Sequence, residues 1–261
     1  MIGIIGNGVV GSTLASWFSS AKVYDLDPSR SPNTLREVLD CETVFLAVNI
    51  VDNAATEVGF GVLNNYLDKM QSGTRVVVKT TIVPGTCDQL QANHPLLRVM
   101  YNPEFLTEAT PVRDFEAPHI QVVGVQEVAR GYAAAQGLLD ILPYTSQQYI
   151  VTLRQAELLK HSVAAFLSTK VSWFNQLYSA LGDEDFEAVR AMISDDPRIG
   201  PSHTNVTQNG YRGWAGKCFT KDTPAFAKWS AMPIMEHVVR YNRDLLAKQG
   251  LDEWARTKET V

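Results

Sequence analysis

Two groupings of residues have the types and spacing to do chemistry. The first is Gly6-Asn7-Gly8-Val9-Val10-Gly11, a GxGxxG hexamer directly after the β-branched run Ile2–Ile5 and directly before a helical pattern. Asp25 closes the next β-branched run, at about the 20-residue interval that the dinucleotide-binding fingerprint requires. In that arrangement Gly6 permits a tight turn, Gly8 lets the backbone approach a pyrophosphate, and Gly11 lets the helix pack closely on the strand. The N–H groups and dipole of the helix N-terminus, opened by Asn7, Val9 and Val10, favour phosphate charge. A carboxylate at Asp25 accepts from both ribose hydroxyls and repels a 2′-phosphate, so the pattern predicts NAD as cofactor. Arg30 is the one nearby cation that could accommodate such a phosphate, and it is counted with the cofactor residues.

The second grouping is Gly213-Trp214-Ala215-Gly216-Lys217-Cys218-Phe219-Thr220-Lys221-Asp222. It places a thiol after small residues and before a helical stretch, between two lysines. Nearby cations and a helix N-terminus both lower a thiol pKa and raise the reactive thiolate fraction. Read alone, the same pattern also fits a buried, inert cysteine. Cys41 and Cys87 have no such surroundings. The three cysteines form no CxxC or His/Cys cluster, so neither a disulfide framework nor a zinc site is expected. His94, His119, His161, His203 and His237 share no metal-ligand spacing, and no metal is expected.

The elements that must position these groups follow from periodicity. Short apolar runs recur at Ile2–Ile5, Lys22–Tyr24, Thr43–Val48, Arg75–Thr80, Leu97–Tyr101, Ile120–Val123 and Gln148–Val151. Helical patterns such as Val10–Phe18, Asn53–Met70 and Gln126–Ile141 separate most of them. Strands alternating with helices predict an α/β fold, a doubly wound Rossmann sheet that is parallel and covered on both faces. From about residue 151 the texture becomes helical. The spacing predicts one long helix over Thr152–Leu181, a second at Phe186–Ile193, and further helical stretches at Pro224–Ser230 and Pro233–Lys248. Between them, Ser194–Gly216 reads as a long functional loop. The expected organisation is an NAD-binding domain over 1–150 and a helical domain over 151–261.

The 261 residues carry a formal net charge of −5 with no basic block, which argues against nucleic acid or an anionic membrane surface as partner. No apolar run approaches the roughly 18 residues that would span a bilayer. The opening MIGIIGNG lacks the features of a signal peptide. A cytoplasmic protein is expected.

Taken together, these two segments and five others in order resemble the UDP-glucose/GDP-mannose dehydrogenase family. Gly213–Asp222 resembles its cysteine signature GxGGxCFPKD, with Ala215 and Thr220 replacing a glycine and a proline. Lys79–Thr86 is similar to its KSTVPVGT, and Asn102–Ala109 to its NPEFLREG. Asp114-Phe115 with Pro118, Ala156–Lys160 and Arg198–Gly200 echo its DF…P, AELxK and RIG. The resemblance implies a Rossmann domain followed by a helical domain of the 6-phosphogluconate-dehydrogenase-like kind. It implies NAD-dependent oxidation of a sugar C6 alcohol, with Cys218 forming a thiohemiacetal and then a thioester. Carried over by position, Lys160 would stabilise the oxyanion, Thr81 and Asp222 would hold water, and Glu104 would act as acid or base. Thr81 and Lys221 would also meet the cofactor. Glu104, Phe105, Leu106, Glu108, Lys160 and Arg198 would line the substrate site, Arg198 in a neighbouring subunit. A nucleotide sugar or another small molecule is the implied substrate, and the helical domain is expected to make a homodimer.

Three departures from the family pattern carry expectations of their own. Ala164 stands where the family has an asparagine that shares the oxyanion role, so either another group replaces it or the second oxidation is slow or absent. The sequence ends at Val261, close to where the family's C-terminal domain would begin, so weak nucleotide-sugar binding, a different substrate, or a surface borrowed from another protein is expected. Only 24 residues separate Asp25 from Asn49, so the Rossmann half is trimmed too. Two rival readings are a two-electron dehydrogenase of a smaller alcohol or hydroxy acid, and an NAD-binding partner subunit of weak activity.

Overall fold

The computed structural model describes residues 1–50, 56–107, 109–208, 210–216 and 218–251. Asn53, Glu108 and Lys217, each singled out from the sequence, lie outside the described residues. By its contacts the chain divides into two units, Met1–Lys160 and His161–Val261.

In the first unit, short apolar strands alternate with helices as the periodicity predicts. The order is β1 (Ile2–Ile5), α1 (Val9–Trp17), β2 (Lys22–Tyr24), α2 (Leu35–Leu39), β3 (Thr43–Leu46), α3 (Thr56–Leu67), β4 (Arg75–Val78) and α4 (Thr86–Asn93). It continues with β5 (Arg98–Tyr101), α5 (Pro111–Glu116), β6 (Gln121–Val125), α6 (Val128–Leu139) and β7 (Gln148–Thr152), and leads into α7 (Leu153–Leu181). The seven strands form one sheet in the order β2-β1-β3-β4-β5-β6-β7. Successive residues of a strand face opposite sides, and both sides are covered. Ile5, Val44, Leu46, Val76, Val78, Val99 and Tyr101 pack with α2, α3, α4 and the start of α7. Ile4, Phe45, Val77 and Met100 pack with α1, α5 and α6 on the other side.

The chain goes from β1 outward to β2, then returns to the far side of β1 as β3. That reversal is the topological switch point, where open α/β sheets bind ligands outside the carboxyl ends of the strands. β1 to β5 are parallel, but β6 runs antiparallel to β5, and β7 runs parallel to β6. The expected Rossmann sheet is therefore present with its last two strands reversed. Among the described residues the helix between β5 and β6 is α5, whose six residues span about 9 Å, too short to return along a strand and its turns. The link between β5 and β6 consequently stays at the carboxyl edge.

The first unit runs on to Lys160 by its contacts, since Leu153 and Ala156 of α7 sit in the sheet core. The second unit holds the rest of α7, then α8 (Asp183–Asp195), a hairpin of β8 (Thr207–Gln208) and β9 (Tyr211–Arg212), α9 (Phe219–Ser230) and α10 (Pro233–Ala247). The hairpin lies within the segment read as a long functional loop. α9 begins at Phe219 rather than at Pro224, which stands inside it. The core of this unit gathers Val171, Trp214, Phe226, Met235, Val238 and Val239. Among the described residues no helix is long and apolar enough to cross a membrane, and no group of three or more side chains could hold a metal.

Candidate active site

The glycine turn is built as its spacing requires. Gly6 has φ +95°, and a Cβ on it would lie 2.6 Å from the Ala47 carbonyl oxygen. A Cβ on Gly11 would lie 1.7 Å from the Gly6 carbonyl oxygen, so α1 packs directly on the turn. Gly8 is different: a Cβ there would meet nothing within 4 Å. That open face adjoins the first turn of α1, whose N-cap is Gly8 and which therefore has no side chain to satisfy its N–H groups. Open space, unsatisfied donors and the helix dipole are what a pyrophosphate needs. Asp25, just past β2, accepts from the Asn7 N–H at 2.6 Å and the Asp27 N–H at 2.9 Å, and Asn7 donates its side-chain amide to the Arg30 carbonyl at 2.7 Å. The Asp25 carboxylate and the glycine turn are thus tied together. These residues fit a dinucleotide. The Arg30 guanidinium pairs with Asp27 at 3.4 Å on the surface. Val9 is exposed, and Val10 packs against the core.

A second cluster lies past the carboxyl ends of β4 and β5. Glu104 and Lys160 are both nearly buried, and the Lys160 ammonium donates to the Glu104 carboxylate at 3.0 Å and to its backbone carbonyl at 2.6 Å. The Leu106 N–H donates to the other Glu104 oxygen at 2.8 Å, and the Phe105 ring lies 5.5 Å from the ammonium. Burial would raise the Glu104 carboxyl, but the Lys160 charge and the Leu106 N–H outweigh it and hold it below its ordinary value. Thr81 is buried in the loop that follows β4. The structure therefore brings Glu104, Phe105, Leu106 and Lys160 together around one ion pair.

Behind this pair are residues that sequence reasoning missed. Lys79 is buried at the end of β4 and donates to the Asn102 side-chain oxygen at 2.7 Å. Burial pushes its ammonium down to about 8, with the Glu104 carboxylate pulling the other way. A lysine directly after Val76-Val77-Val78 was the available signal, since a cation at the end of a buried strand must be paired. Glu157, three residues before Lys160, is fully buried and pushed up to about 7 by that burial, although the N–H groups of Cys87 and Gly85 lower it.

In the second unit, Cys218 is exposed and is the N-cap residue of α9, while Cys41 and Cys87 are buried. Burial raises both of those thiols, Cys87 far more. The Cys218 carbonyl accepts from the N–H groups of Lys221 at 3.1 Å and Asp222 at 2.8 Å. Lys221 pairs with the buried Asp222 carboxylate at 3.2 Å, so these three residues form one compact start to the helix. Upstream, Asn242 of α10 accepts from the Trp214 N–H at 2.8 Å and donates to the Trp214 carbonyl at 2.7 Å, fixing the backbone that leads to the cysteine. Gly213, at φ +95°, lies against the same amide: a Cβ there would be 2.7 Å from its oxygen. Arg198 is exposed and pairs with Asp196, while Lys170 donates to the carbonyls of Ile199 and Gly200. Ala164 is buried.

Comparison with known proteins places the chain. Residues 30–139 match the NAD binding domain of the UDP-glucose/GDP-mannose dehydrogenase family, and residues 154–244 match its central domain. A UDP-glucose 6-dehydrogenase of Pseudomonas aeruginosa is 30% identical over 208 residues, 72% of this chain and 44% of that protein. A putative UDP-glucose 6-dehydrogenase of Bacillus subtilis is 29% identical over 200 residues, 71% of this chain and 45% of that protein. The chain thus spans about half the length of these curated relatives. A UDP-glucose dehydrogenase structure from Pyrobaculum islandicum superposes with TM-score 0.78 at 25% identity, covering 95% of this chain and 70% of that one. The matched domain binds NAD, and the glycine turn and Asp25 stand just ahead of that match in the same unit. On its two domain matches, its sheet and its glycine turn, the chain belongs to the UDP-glucose/GDP-mannose dehydrogenase family, of which it carries the NAD-binding and central domains.

Proposed function

We propose that this chain is an NAD-dependent nucleotide-sugar dehydrogenase of the UDP-glucose 6-dehydrogenase type, oxidising a sugar primary alcohol through a covalent adduct of Cys218. The observation that carries this reading is the contrast among the cysteines. Cys218 alone of the three is exposed, and it opens a helix whose dipole favours a thiolate.

Bound NAD supplies the hydride acceptor for each oxidation. Gly6, Asn7, Gly8 and Gly11 hold the pyrophosphate and Asp25 the ribose. The Cys218 thiolate adds to the aldehyde carbon from the first oxidation, and the new C–S bond leaves an oxyanion that Lys160 stabilises. Oxidation of that adduct gives a thioester. Water held by Thr81 and Asp222 and deprotonated by Glu104 attacks the thioester carbon, the C–S bond breaks, and Cys218 leaves as thiolate. Glu104 suits this exchange because Lys160 keeps its carboxyl ionised. In this scheme Phe105, Leu106, Glu108 and Arg198 contact the substrate, Lys221 the cofactor, and the helical unit serves as substrate and dimerisation domain. The homodimer reading is supported by Phe166 and Trp173, seven residues apart on α7 and 68% and 48% exposed.

The test follows NADH with a panel of nucleotide sugars and simple alcohols, in the native protein and in Cys218→Ala, with iodoacetamide mapping of the thiols. Two NADH per sugar, lost in Cys218→Ala, with Cys218 labelled before Cys41 and Cys87, is the expected result. One NADH per substrate, indifferent to that change, would establish a two-electron dehydrogenase instead. NAD binding with no turnover would point to a partner subunit.

A further inference from the structure

The loop after β4 is anchored at both ends, and only one anchor lies within the sheet. At its start, the Thr80 hydroxyl donates to the carbonyls of Leu46 and Val48, and the Lys79 N–H donates to the Leu46 carbonyl. At its end the chain enters α4 through Gly85, which has φ +98° and offers no side chain to cap the helix. The cap comes instead from Glu157 of α7. The Gly85 N–H donates to its Oε2 at 2.5 Å, and the Cys87 N–H donates to its Oε1 at 2.8 Å. Glu157 has no exposed surface.

A buried carboxyl is costly, and a helix N-terminus can be capped by a serine or threonine at its own N-cap position at far smaller cost. The placement of Glu157 explains why a distant carboxylate takes that role. Positions three apart share one face of a helix. Glu157 and Lys160 are so placed on α7, and Lys160 holds the loop after β5 through Glu104. One face of α7 therefore grips both carboxyl-edge loops, the one with Thr81 and the one with Glu104.

We propose that Glu157 is a positioning residue that pins the Thr81 loop to the same face of α7 that carries Lys160, fixing the spacing of Thr81, Glu104 and Lys160. Its consequence for turnover rests on the dehydrogenase reading above; its consequence for the loop does not.

The test combines amide hydrogen exchange with kinetics. In the native protein, the first-turn amides of α4 exchange more slowly than those of α1, whose Gly8 N-cap has no side chain. In Glu157→Gln, exchange at Gly85 and Cys87 rises about tenfold or more, the loss of one charge-assisted bond, while β4 keeps its protection. On any substrate that is turned over, kcat falls about tenfold while KM for NAD stays within about twofold, and Glu157→Asp restores part of kcat. Unprotected α4 amides in the native protein, or full protection in Glu157→Gln, would overturn the clasp. Lost protection with kcat unchanged would overturn the positioning role. If Glu157→Gln does not fold, exchange in the native protein and Glu157→Asp decides. A native protein with no turnover refutes the dehydrogenase reading, and exchange alone then decides whether Glu157 holds the loop.

Discussion

Replacing Gly8 and Gly11 by alanine, one at a time, should separate ligand contact from packing within a single turn. At Gly11 the new Cβ would stand 1.7 Å from the Gly6 carbonyl oxygen and 2.7 Å from its carbon. No side chain can yield there, so α1 must move away from the turn by more than an ångström. Overpacking of a rigid site costs about 1–3 kcal/mol or more, and backbone against backbone belongs at the upper end. For a domain of this size about 3 kcal/mol lowers Tm by roughly 6–12 °C. At Gly8 the new Cβ meets nothing within 4 Å, and φ −80° suits alanine. The loss there is that of a poorer N-cap, at most about 1 kcal/mol. That same methyl occupies the space through which a pyrophosphate approaches the backbone, and NAD affinity should fall about tenfold or more, or 1.4 kcal/mol. Thermal melts without ligand and calorimetric titration with NAD measure the two effects separately. The reasoning fails if Gly8→Ala binds NAD like the native protein, or if Gly11→Ala melts with it.

Two further outcomes follow from the same geometry. Lys160→Met strands the Glu104 carboxylate in a nearly buried site and should cost about 3–5 kcal/mol in urea unfolding at neutral pH. Because the folded-state pKa of Glu104 is depressed, its contribution is present above the ordinary value of 4.5 and lost as pH falls through the folded value. The gap between native and Lys160→Met should therefore narrow on acidification, and a constant gap would refute the assignment. If Phe166 and Trp173 form a dimer face, sedimentation should give twice the chain mass, and Trp173→Glu should raise the dissociation constant about tenfold or more. A native chain that sediments as a monomer at every concentration removes that face.

The glycine turn and Asp25 were legible because their constraints are local. A tight turn, a close approach and a carboxylate at the next strand end are all specified within the first thirty residues, and in the structure the Asn7 N–H donates to Asp25. The strands were legible for the same reason, since a run buried on both faces declares itself by composition. Its direction does not: Gln121–Val125 reads the same in either sense, and only the short α5 link, with the register of β6 against β5, reverses it. The pairing of the Arg30 guanidinium with Asp27 is visible only in the folded chain. Glu157 was part of a motif with no visible task, because its two donors lie 72 and 70 residues away in sequence. Lys79 likewise met its partner only across β4 and β5. Sequence by itself determined the cofactor turn and the order of elements, which short-range sterics and periodicity encode. Tertiary structure decided which buried charges meet, because desolvation penalises each alone and only the folded sheet brings its partner within reach.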